Sequence, residues 1–129
     1  MFYAFPYTPV ITNTENNPKV IELHLSAGVI HQVDVIFQSG CNHQEFVQIF
    51  HGNFQVWPSN RGGKLRGNAT IISFRDFYEL KLGQTVLQAK VWTTLTTDFK
   101  ELIVQMGILS KRVLQPLSFE ELIRAVKEI

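Results

Sequence analysis

The chain has 129 residues, enough for one domain that folds without disulfide or metal and buries roughly two thirds of the surface its unfolded form exposes. Apolar residues make up 45% and charged residues 18%, below the roughly 25% of a typical soluble protein, so the surface is sparsely charged and disposed to association. Twelve Lys and Arg against eleven Asp and Glu leave a net charge of +1, which excludes a global field steering the protein to nucleic acid or to an anionic membrane; neither partner is expected.

Residues 1–18, MFYAFPYTPVITNTENNP, read as an extended N-terminal arm with no ordinary strand pairing. Pro6 and Pro9 break any period, while Phe2, Tyr3, Phe5 and Tyr7 make the segment too apolar for a solvated tail. It needs a surface, either the chain's own body or a neighbouring copy.

Residues 19–109 read as a β-sandwich domain, with short β-branched and aromatic runs separated by turn clusters. From Lys19 to Ser26 the alternation is clean, with Ile21, Leu23 and Leu25 on one face. From Val29 to Phe37, Val29, Val33, Val35 and Phe37 share a face with His31, opposite Ile30, Gln32, Asp34 and Ile36. That second face is mixed, which predicts partial cover on its outer side. Strands are further expected over Glu45–Phe54, with a turn or bulge at Gly52-Asn53, and over Phe54–Trp57, ended by Pro58. Three more follow over Ala69–Phe74, Thr85–Thr94 and Phe99–Leu109, with Arg75–Gln84 as a connection.

Residues 110–129 read as a linker and a short amphipathic helix. Ser118 with Glu121 is a capping box, Leu117 and Leu122 are placed as its hydrophobic staple, and Phe119, Leu122, Ile123 and Val126 form an apolar stripe. So short a helix is marginal alone, so the stripe must dock. The predicted fold is therefore all-β: a seven- to eight-stranded antiparallel β-sandwich or jelly roll with an N-terminal arm and a C-terminal helix.

No catalytic set is organised along the chain. His24, His31, His43 and His51 are scattered, and Cys41-Asn42-His43 is too tight for a zinc knuckle; no metal and no cofactor are expected. The single Cys41 cannot form an internal disulfide, no Sec signal peptide is expected, and no run approaches the roughly eighteen apolar residues of a membrane span. Asp76, Glu79 and Asp98 lack the spacing of a calcium loop. Enzymatic activity, which would have to draw on His31, His51 and Asp34, is not expected.

Two features carry functional weight. The arm residues Phe2, Tyr3, Phe5, Tyr7, Val10 and Ile11, with the helix stripe Phe119, Leu122, Ile123 and Val126, are the expected oligomer contacts, by strand addition to a neighbour's edge. The alternative is a carbohydrate-binding surface: Trp57, with Phe54, Tyr78 and Trp92 as an aromatic platform, beside Arg61, Lys64 and Arg66 of the loop RGGKLRG.

GVIHQVDVIFQSGC (28–41), IFHGNFQVWPSN (49–60) and LRGNATIISFRDFYEL (65–80) resemble a group of uncharacterised small β-sandwich proteins from viral and environmental prokaryotic sequences. The shared motifs, a Gly-Cys turn and Trp-Pro-Ser followed by an Arg-Gly turn, are structural. The resemblance implies a virion or extracellular-assembly setting and carries over no functional residue. The expected function is a non-enzymatic structural subunit forming a homo-oligomer, or decorating a virion-like shell or filament, in a virion or a cytoplasmic assembly.

Overall fold

A computed structural model of the chain describes residues 1–110. The stripe Phe119, Leu122, Ile123 and Val126 lies outside the described residues. Eight strands follow in order: β1 (Phe2–Tyr7), β2 (Lys19–His24), β3 (Gly28–Phe37), β4 (Glu45–His51), β5 (Phe54–Trp57), β6 (Thr70–Leu80), β7 (Val86–Thr93) and β8 (Leu102–Leu109). They form two antiparallel four-stranded sheets, β1-β8-β3-β6 and β2-β7-β4-β5, so the chain passes between sheets at every connection except β4–β5. Among the described residues there is no helix. The expected all-β sandwich is what the chain forms.

Period-2 alternation puts one face of each sheet inward. Leu23, Val47, Ile49, Leu87, Ala89 and Val91 of one sheet meet Ile30, Val33, Val35, Phe37, Leu102, Val104, Met106 and Ile108 of the other, all fully buried or nearly so. Each such side chain contributes about 1.5–3 kcal/mol of transfer free energy, offset by the chain entropy lost on folding.

Three expectations are corrected. The N-terminal segment is a strand in full register with β8, from Phe2 opposite Gly107 to Tyr7 opposite Leu102. Tyr3, Phe5 and Tyr7 turn inward against the core while Phe2, Ala4 and Pro6 face out, a six-residue alternation that the prolines had masked. Pro6 is tolerated because β1 is an edge strand. Next, β3 buries Ile30 with Val33, Val35 and Phe37, because its register shifts between Ile30 and Gln32 and flips the phase of the strand at His31. Finally, β6 runs to Leu80 through residues expected in a connection; the same irregularity places Arg75 opposite Gln32 and Tyr78 opposite Ile30, so Asp76-Phe77 interrupts the alternation without ending the strand.

Candidate interaction surfaces

Every open sheet has two edges, and here they differ. β5 is four residues long and stops at Pro58; β2 has six residues, with Lys19, Glu22 and His24 exposed; β1 has six and carries Pro6. Those are ordinary defences against edge-to-edge pairing. β6 has eleven residues and no proline. Its defences are the exposed charges of Arg75 and Glu79 and the bulge between them, where Asp76 Oδ1 accepts the Phe77 N–H at 2.7 Å and Oδ2 accepts Trp57 Nε1–H at 3.0 Å. The run Thr70–Arg75, TIISFR, holds no proline and no charge before its last residue.

The register across this sheet sets Pro6, Ile103, Ile36 and Ile71 side by side on its outer face, one from each strand, and Ile71 at the β6 end is 58% exposed. Phe77, on the same strand, is 77% exposed. The neighbouring row, Ala4, Gln105, Asp34 and Ser73, is polar beyond Ala4, and Gln32 Nε2 ties its far end together by donating to Asp34 Oδ1 (2.9 Å) and Ser73 Oγ (2.8 Å). An aliphatic row thus crosses the sheet and ends at β6, its edge strand.

The arm residues divide between inside and outside. Tyr3 bonds Ser26 Oγ at 2.6 Å and stacks on Phe5, and the Tyr7 hydroxyl donates to Asn13 Oδ1 at 2.7 Å. The Met1 ammonium donates to the Ile108 carbonyl, whose own N–H returns to Met1 O. Only Phe2, Val10 and Ile11 of the six expected contacts face solvent, Phe2 with its ring edge-on to His31.

Of the four expected platform aromatics Phe54 is exposed, while Trp57, Tyr78 and Trp92 are turned inward or covered. Trp57 is 2% exposed, its ring against Phe74 and Tyr78, because β5 turns it inward with Ile49. Tyr78 bonds His51 Nδ1 at 2.7 Å, and burial pushes its phenol up. Trp92 is stacked on Phe46 on the outer face of the β2-β7-β4-β5 sheet, but both rings are covered by Lys64, which lies 5.7 Å and 5.9 Å from their centroids, and Arg66, at 5.8 Å from Phe46.

Residues 59–68 are a built loop. Gln55 reaches into it, donating to Pro58 O, Asn60 O and Gly63 O and accepting the Gly62 N–H; Gln48 also donates to Gly63 O. Leu65 returns to pair with Val47 by two 2.9 Å backbone bonds, and Lys64 meets Glu15 at 2.8 Å. The Gly62 and Gly63 amides are already donating within the loop, so the expected backbone anion cradle is not formed.

Cys41 and Glu45 form a sealed pair at the start of β4. Glu45 Oε1 accepts the Cys41 thiol at 3.2 Å and Oε2 accepts the Lys100 N–H at 3.0 Å. Burial, reinforced by the neighbouring carboxylate, pushes the thiol up to about 12. Burial also raises the Glu45 carboxyl, against the two hydrogen bonds that favour its charged form. His31 and Asp34 lie on one sheet and His51 on the other, where it bonds across the sandwich to Tyr78 of β6. Among the described residues no three His, Cys, Asp or Glu side chains gather as metal ligands would.

Over the described residues these observations define a two-sheet antiparallel sandwich with one long edge strand, β6, and a cation-covered face. No family model, curated protein or solved structure matches the chain.

Proposed function

We propose that this protein is a non-enzymatic structural subunit that self-associates through the β6 edge, two copies joining their sheets into one. The strand order, 1-8-3-6 over 2-7-4-5, is that of an eight-stranded jelly roll, an architecture that manages edges by double-sheet packing. The observation that carries the reading is the Thr70–Arg75 run of an eleven-residue edge strand, which has no proline and no charge before Arg75, with Ile71 at the end of an aliphatic row. Antiparallel pairing about a two-fold axis uses the same strand on both copies, so the edge is its own complement. Main-chain bonds supply the affinity, and the row of Pro6, Ile103, Ile36 and Ile71 continues across the junction.

A closed pair becomes a shell or filament only through a second contact. Phe2, Val10 and Ile11 are the exposed candidates, and the stripe Phe119, Leu122, Ile123 and Val126 is the other. Deleting the first sixteen residues is a poor test, because it removes β1 and three inward aromatics. Charging the edge is cleaner. Sedimentation velocity over a concentration series should show wild type as a dimer or larger, and Ile71→Lys with Phe77→Lys as a folded monomer. A wild-type monomer throughout, or an unchanged mass in the charged variant, would overturn the proposal.

A further inference from the structure

The outer face of the β2-β7-β4-β5 sheet concentrates what the whole chain lacks. Its cations are Lys64 and Arg66 over the Phe46–Trp92 pair, Lys90 with Nζ 4.3 Å from the Phe50 centroid, and Arg61 in the adjoining loop. Its carboxylates are Glu15, held by Lys64, and Glu22, beside His24. Among the described residues Arg61, Arg66 and Lys90 have no carboxylate within ion-pair distance. Among the described residues the strands of the other sheet carry Asp34, Arg75 and Glu79 on their outer face and no lysine.

We propose that this face binds single-stranded nucleic acid along the outer positions of β4, Phe46, Gln48 and Phe50. This is independent of the edge pairing above. A ring beneath a cation orients it without neutralising it, so Arg66 and Lys90 are pre-positioned and keep their full charge for a phosphate. The two stand over rings four residues apart on β4, a track of about 14 Å at about 3.4 Å per residue. Arg66 supplies a fork suited to phosphate oxygens. A sheet face projects no helix or two-stranded ribbon into a duplex groove, which favours the single strand. When Lys90 turns from Phe50 to a phosphate, the half-buried ring offers a base a surface to stack on.

The test is fluorescence anisotropy of the full chain with a labelled oligothymidylate of about twenty nucleotides, from about 20 to about 200 mM salt. Three phosphate contacts predict a slope of log affinity against log salt of about −2. Arg66→Ala with Lys90→Gln should flatten it by about 1.4, and Arg61→Ala, on an exposed loop where misfolding is not at issue, by about 0.7. Phe50→Leu should weaken binding roughly five-fold or more with its unfolding midpoint unchanged. Arg75→Ala, on the other sheet, should change nothing. No binding at the lowest salt, or an Arg75→Ala loss equal to that of Arg66→Ala with Lys90→Gln, overturns the proposal. So does equal binding of a heparin fragment with Phe50→Leu silent, which would show a surface reading charge alone.

Discussion

The two sheets share one core and differ on their outer faces. On β1-β8-β3-β6 the outer positions hold an aliphatic row and a polar row, and the aliphatic row ends at β6, an edge strand with no neighbouring strand among the described residues. On β2-β7-β4-β5 the aromatic rings are already roofed by cations, one of them latched to Glu15. One face therefore has apolar surface and backbone hydrogen bonds still to satisfy, which suits a copy of itself. The other has its apolar surface covered and charge to spare, which suits a polyanion. A near-neutral total charge conceals this division, because it averages over two surfaces of different chemistry.

The largest effect comes from removing what both faces rest on. Phe37 is buried on β3 and lies under Gly67, where an added Cβ would come within 3.2 Å of its ring. Phe37→Ala should cost about 3–5 kcal/mol in urea unfolding and should weaken the edge and the basic loop together. A loss confined to one face would break the shared-core account.

Next in size is a pH effect at the start of β4. The folded-state pKa of Glu45 is raised by burial, so its contribution to stability is complete below the ordinary glutamate value. It is lost as pH rises through the raised one, at about 1.4 kcal/mol per unit of pH between the two. Unfolding midpoints of wild type should fall across that window relative to Glu45→Gln, which cannot ionise. Parallel pH profiles for the two proteins would show that the carboxyl is not perturbed.

Smaller changes separate the faces. Tyr7→Phe removes the bond to Asn13 and should cost about 1 kcal/mol, read as a lower thermal midpoint, with no change in the salt dependence of the cationic face. Lys64→Met keeps a long side chain over Phe46 and Trp92 but loses the Glu15 pair and the charge. It should cost less than about 1 kcal/mol, shrinking further in high salt, and leave edge pairing intact.

How much of this was legible in the sequence follows from which signals are local. The alternation of Ile21, Leu23 and Leu25 is local, and β2 stands where it was read. The bulge at His31 is not, since one extra residue reverses the inside of a strand and only its partners reveal it; Ile30 was placed on the wrong face for that reason. β1 was hidden by Pro6, which forbids a central strand but not an edge, and edge status depends on residues a hundred positions away. Trp57 looked like a platform because aromatic spacing does not state direction; its inward turn follows from pairing with Ile49. Gln55, which organises the basic loop, carries no sequence signal, because any loop-flanking glutamine looks the same. The open edge was equally invisible, being a property of strand order.

The most direct test of the central claim is amide hydrogen exchange of β6, resolved by residue, at low and high protein concentration. Pairing through this edge predicts that alternate amides within Thr70–Arg75, those facing away from β3, gain protection as concentration rises, while the β1, β2 and β5 edges stay unchanged. Exchange in Thr70–Arg75 that is independent of concentration would contradict it, and so would a concentration-dependent gain confined to β1.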